Sequence, residues 1–412
     1  MTAVPAGWRV GVVFLAFAFN YFLSALLRAV VATLAPEFAR ELHLSAGDLG
    51  LLAGVYFLGF ASMQLPLGWA LDRYGARRLL LSLLVVAIAG CVGFALARNF
   101  GQLVVARLFI GLGVSASLMA PLAAFVRWLD RALQLRLTSW MLMTGSLGMV
   151  ASTLPVQALL PAVGWRGLFV LIAAALALAM VGIAAVAPRD AAAPMDDPAA
   201  GGYRPIVMHP VFLRAAPLAF FTYGGLIAVQ ALWAGPWLTQ VVALNATDAA
   251  QGLFAINLTM LGSFLCWGVV MPRLVQRGVR AEQLIGWGWP VGASVLLAVI
   301  LLGADAGAAW LALWCACTSV IALAQPAVAQ AFPKEQAGRA LSAFNLLIFA
   351  GVFVCQWGMG LAIDALVAFG CERAASHRLA MALLLAGTVG AGTWFWGHPR
   401  FAARAALAPA RG

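Results

Sequence analysis

Long apolar runs alternate with short polar turns along the whole 412-residue chain. A helix needs about 20 apolar residues to cross a bilayer. Runs of about that length lie near 10–34, 47–70, 79–97, 102–126, 137–161, 167–187, 213–237, 250–271, 282–303, 307–326, 340–363 and 379–397. The pattern predicts an all-α membrane protein with about twelve spans. The first run far exceeds the apolar core of a signal peptide and has no small-residue cleavage site before the next, so it is expected to be retained. Between Pro188 and Pro210 the chain turns hydrophilic, with Asp190, Asp196, Asp197 and adjacent glycines. The expected organisation is a six-helix bundle over 1–187, a linker over 188–212 and a second bundle over 213–412.

Composition supports this and narrows it. The chain is 64% hydrophobic and only 9% charged, which excludes a water-soluble domain of this size. A net charge of +11 would suit a nucleic-acid partner, but the arginines fall mainly in alternate turns. Arg73, Arg77, Arg78, Arg127, Arg131, Arg136, Arg189, Arg204, Arg273, Arg277 and Arg280 share one side, whereas the opposite turns hold Arg40, Arg98, Arg166, Arg373 and Arg378. The positive-inside rule puts both termini in the cytoplasm, with a bacterial inner membrane as the expected location. The basic balance therefore encodes topology, and no nucleic acid is expected. The six cysteines lie mostly inside the apolar runs and form neither a disulfide framework nor a metal spacing. A phosphate-binding glycine loop, a ligand cluster for a metal and a Ser-His-Asp set are all missing, so neither an enzyme nor a cofactor is expected.

The turn after the second run reads Gly68-Trp-Ala-Leu-Asp72-Arg73-Tyr-Gly75-Ala-Arg77-Arg78. This G-x-x-x-D-R-x-G-x-R-R pattern resembles the loop between the second and third helices of the major facilitator superfamily. Arg107, followed by Gly111 and Gly113, resembles that family's R-x-x-x-G-x-G segment, and Gly164-Trp165-Arg166 precedes the sixth run as it often does there. Gly145 and Gly148 only distantly resemble the glycine-rich antiporter motif, and its Gly-Pro pair is missing. The resemblance implies two pseudo-symmetric six-helix bundles and a carrier working by alternating access. A shift of 200 residues lays Gly68, Arg73 and Arg77 on Gly268, Arg273 and Arg277, as in parallel-repeat carriers, with Pro272 standing where Asp72 does. Gly68, Asp72, Arg73, Gly75, Arg77 and Arg78, with Arg107, are the expected gating latch. In it Gly68 would let two helices approach, and Asp72 would accept charge-assisted hydrogen bonds.

Ionisable residues inside a membrane usually face the protein interior or a cavity. Arg28, Arg107 and Asp364 are the candidates. Arg28 lies eight residues before Pro36, hence about 12 Å from the end of the first span. Steps of three or four residues back give Ser24, Tyr21 and Phe17, a polar-aromatic stripe on one helical face. The first helix is similar to that of the superfamily's organophosphate and anion carriers, where the resemblance implies an arginine that holds the substrate's anionic group. A structural Arg28 satisfied by helix carbonyls or by a nearby carboxylate such as Glu37 is the plain alternative. Phosphate-specific relatives place a second arginine in the seventh helix, where this chain has Ala228. One cation favours a carboxylate or zwitterion over a doubly charged phosphate ester. Arg107 is expected near the end of its span.

Tyr223, Gln230, Trp233, Trp314, Asn345 and Gln356 complete the expected cavity, each equally able to serve as helix glue or interfacial belt. The expected function is secondary transport of a small organic anion by a monomer in a lipid bilayer, with a proton or counter-anion as coupling candidates. A polyspecific drug efflux carrier and a transport-fold sensor are the alternatives.

Overall fold

The computed structural model describes residues 7–188 and 202–398, so most of the linker, including Arg189 and the three linker aspartates, lies outside the described residues. Among the described residues every regular element is helical. The helices are α1 (Gly7–Glu41), α2 (Ala46–Ser62), α3 (Gln64–Tyr74), α4 (Ala76–Leu96), α5 (Phe100–Gly113), α6 (Met119–Trp128), α7 (Arg131–Ala151) and α8 (Leu154–Val186). After the linker come α9 (Arg204–Val207), α10 (Pro210–Val241), α11 (Ala246–Gln276), α12 (Ala281–Leu302), α13 (Ala308–Thr318), α14 (Ala324–Gln330), α15 (Lys334–Ala368) and α16 (Arg373–Gly397).

Ten stretches among the described residues are long and apolar enough to cross a bilayer unaided. The expected fourth and fifth spans are not among them because each is broken. The fourth is split into α5 and α6 at Val114–Leu118, and the fifth into α7 and the start of α8 at Ser152–Thr153. Both breaks have one chemical cause. Ser115 Oγ donates to the Leu112 carbonyl, Ser152 Oγ to Met149 and Thr153 Oγ1 to Val150. Hydroxyls that bond back along their own helix compete with the backbone ladder and bend it. The freed Ser152 carbonyl accepts from Thr33 Oγ1 of α1 at 2.8 Å, so this break is also a tie between helices. Ser62 to Gly59 at the α2/α3 junction and Ser319 to Ala316 between α13 and α14 repeat the device. Gly164 (φ 64°) breaks α8 itself, separating the expected fifth and sixth spans.

Glycines set how closely the helices pack. A Cβ on Gly111 would stand 2.0 Å from the Tyr56 carbonyl, and one on Gly113 2.3 Å from the Ala87 nitrogen. The two glycines after Arg107 therefore press α5 against α2 and α4 at backbone distance, the usual way to bring apolar helices together where lipid gives no hydrophobic drive. Gly148 does the same for α7 against Phe22 of α1. The outside of the bundle is apolar, with Leu15, Leu96, Leu178, Val181 and Leu301 all well exposed. An apolar patch of this extent belongs against lipid.

Candidate functional site

The residues expected to line a cavity on α1 do converge. Tyr21, Ser24 and Arg28 share one face of α1, and the Arg28 guanidinium interacts electrostatically with the phenols of Tyr56 on α2, Tyr21 on α1 and Tyr223 on α10. It also lies 5.6 Å from the centre of the Phe60 ring, in range for a cation–π contact. Arg28 is half-buried, and its Nε is enclosed with no hydrogen-bond partner. Glu37, the carboxylate that would have made it structural, pairs instead with Arg40. Gly145 makes room for the stripe, since a Cβ there would meet the Tyr21 ring at 2.4 Å. Asn20 and Ser24, fully buried one turn apart on the same helix, likewise present side-chain polar atoms without partners.

Arg107, expected near the end of its span, lies seven residues into α5. It is fully buried, donates from Nη2 to the Leu27 carbonyl at 2.7 Å, and stands 4.7 Å from the centre of the Tyr56 ring. It backs the tyrosine that faces Arg28, and so supports the site from behind.

The remaining expected cavity residues divide. Tyr223 joins the Arg28 group, at the end of a π-helical stretch, Ala219–Tyr223, in α10. Gln230 turns away and donates to Asn257 Oδ1 on α11 at 2.9 Å. Trp233 ties α10 to α15 through Nε1 and the Gln356 carbonyl at 3.1 Å. Asn345 accepts from Gln325 of α14, and Trp314 is buried. Gln356 is fully buried with both amide atoms unpartnered. It lies two helical turns from Phe349, whose ring is 4.6 Å from that of Phe60.

The expected latch is partly visible. Gly75 (φ 77°) makes the turn between α3 and α4 in a conformation that other residues resist. Arg77 reaches the Ala184 carbonyl of α8, and Arg73 lies over Trp69 and Tyr74. Arg78 is exposed, and the Asp72 side chain lies outside the described residues. Among the described residues a Cβ on Gly68 would meet nothing within 4 Å. That expectation is corrected: the close approach belongs to other glycines.

Those glycines lie at the arginine-poor end, between α2 and α15. Cβ atoms on Gly50 and Gly360 would meet the carbonyls of Gln356 and Ala46 at 2.4 and 2.3 Å. Asp364, from α15, accepts the Ala46 and Gly47 backbone N–H groups of α2 at 3.0 and 2.7 Å. A carboxylate capping the positive end of a neighbouring helix is favourable both as a hydrogen-bond acceptor and against the helix dipole. Asp364 stood out in the sequence as an acid in an apolar run, but only the fold supplies its partner. Tyr56 and Phe60 were missed outright, because nothing in an apolar helix marks which aromatic faces Arg28.

Known proteins give a consistent picture. A protein of Cupriavidus necator named as a sulfoacetate transporter, SauU, is 27% identical over 158 residues, 37% of this chain and 36% of its own. One of Escherichia coli named as an L-galactonate transporter is 34% identical over 140 residues, 32% of this chain and 29% of its own. One of Klebsiella pneumoniae named as a multidrug resistance protein, MdtD, is 32% identical over 123 residues, 29% of this chain and 25% of its own. Each match thus spans well under half of the relative's length. The fold is similar to the crystal structure of a bacterial homolog of the human lysosomal transporter Spinster, with a TM-score of 0.76 at 19% identity over 95% of this chain and 97% of that one. It is equally similar to the POT family transporter PepTSo, at 0.76 and 12% identity over 96% and 99%. The Major Facilitator Superfamily profile runs from residue 17, ahead of the Arg28 stripe, to Gln356 at the α2–α15 contact, and with this helical fold around it the chain belongs to the Major Facilitator Superfamily.

Proposed function

We propose that this protein is a secondary carrier that moves a small organic anion, a carboxylate or zwitterion, across a membrane by alternating access and without a chemical step. The observation that carries the reading is Arg28, a half-buried guanidinium among three tyrosines with an enclosed Nε that nothing else engages. A guanidinium keeps its charge when desolvated and offers a carboxylate two parallel hydrogen bonds. Ala228, at the position related to Arg28 by the internal repeat, supplies no second cation. Relatives named for sulfoacetate and L-galactonate, both organic anions, point the same way.

In this reading the halves 1–187 and 213–412 rock about the Arg28 site as a monomer. The Gly68–Arg78 turn with Arg107 would bias one end and the α2–α15 contact the other. The basic turns and both termini would face the cytoplasm of a bacterium, and a proton or counter-anion would couple transport. The relative named for multidrug resistance supports a second reading, drug efflux.

Ligand-dependent thermal stabilisation of the purified protein and its Arg28→Ala variant separates the two. Binding to the native state at a hundredfold excess over Kd adds about 2.7 kcal/mol. Stabilisation by L-galactonate or sulfoacetate that disappears in Arg28→Ala is the expected result. Stabilisation by lipophilic cations alone, unchanged in the variant, would overturn the anion reading in favour of efflux.

A further inference from the structure

At the arginine-poor end the surfaces of α1, α2, α10, α15 and α16 line an open cavity of about 180 Å³. Its floor is the α2–α15 contact, marked by Asp364 and Trp233, so it lies on the far side of that contact from Arg28. Five polar side chains on its walls are already engaged. Ser45 caps α2, Thr239 bonds its own helix, Trp233 donates to Gln356, Asp364 spends both oxygens on backbone N–H groups, and His377 Nδ1 meets the Arg373 carbonyl at 2.9 Å.

The other polar residues on its walls are Arg373 and Gln240. Arg373 makes no side-chain hydrogen bond or ion pair among the described residues. It also occupies the first turn of the 25-residue α16, where a cation opposes the helix dipole. An anion lodged against Arg373 would relieve that repulsion. His377 is held in place by burial and by its ring contact with Trp233, 6.1 Å between centres.

We infer that this cavity is a second anion-binding site, in which Arg373 and Gln240 hold a small carboxylate or sulfonate beside His377, outside the closed α2–α15 contact. The inference rests on the proposed anion carrier for its ligand class, but not on Arg28. It gives the carrier a staging site on the arginine-poor face, loaded before that end opens. Asp364 keeps its charge, but both its oxygens are turned to the α2 backbone N–H groups and the positive end of that helix offsets it.

The test is NMR of purified protein carrying isotope-labelled histidine, titrated with sulfoacetate and with L-galactonate. The chain has four histidines, and the His377 signal is assigned by its loss in His377→Gln. The expected result is a saturable shift of the His377 signal in the native protein and in Arg28→Ala, with at least tenfold weaker binding in Arg373→Gln. Arg373 is exposed, so that variant should fold. Equal titration of native protein and Arg373→Gln, or no movement of the signal with either probe, would overturn the inference. A shift that vanishes in Arg28→Ala would overturn it too, while leaving the Arg28 reading intact.

Discussion

Asp364→Asn tests whether the α15 carboxylate that caps α2 holds the arginine-poor end shut. The two bonds, 2.7 and 3.0 Å long, join the first turn of α2 to α15. A hydrogen bond to a charged group has a net worth of about 1.5–3 kcal/mol, and the lower end applies to this half-buried carboxylate. Asparagine keeps one acceptor, loses the other, and removes a charge worth about 0.3–1 kcal/mol at a helix N-terminus. The sum is about 2 kcal/mol of lost preference for contact, or about a 30-fold shift between closed and open ends. Spin labels at Arg98 and Phe369, both exposed at that end, report the separation by pulsed-dipolar spectroscopy in a cysteine-free background. Asp364→Asn should populate a longer distance at the expense of the shorter one. A distance distribution identical to that of the parent would refute the reasoning, because it would mean that the glycine-mediated contact alone sets the equilibrium.

Gly145→Ala should drive the Tyr21 ring away from Arg28, lowering Tm by an overpacking cost of about 1–3 kcal/mol and abolishing stabilisation by organic anions. Gly111→Ala meets backbone rather than a ring, at 2.0 Å, so α2 and α5 must separate. Loss of folded protein on size-exclusion chromatography is expected. Gly68→Ala meets nothing within 4 Å and should leave Tm unchanged, within about 0.5 kcal/mol. A large loss there would restore the close approach that the structure does not show. Arg107→Ala leaves the Leu27 carbonyl and the Tyr56 ring facing a void, which should cost about 1–3 kcal/mol and weaken ligand stabilisation without removing it, since Arg28 remains.

The sequence by itself determined ten of the twelve expected spans, because a bilayer imposes on each crossing a length and an apolarity that any reader of the chain can measure. It also determined the α1 stripe of Tyr21, Ser24 and Arg28, since helical spacing alone puts those residues on one face. The basic turns, and glycines 111 and 113 after Arg107, were legible as motifs. Which helix each glycine touches was not. Only tertiary packing decided that Gly111 presses on Tyr56, that Gly68 presses on nothing and that Gly145 accommodates Tyr21. Gln230 and Tyr223 look equally fit to line a cavity in the sequence, yet one bonds Asn257 and the other faces Arg28. Asp364 shows the same limit, its partners lying more than 300 residues away. Local periodicity fixes the face of a helix, whereas the neighbour of that face is set by the whole bundle, and the chemistry of this site lies in those neighbours.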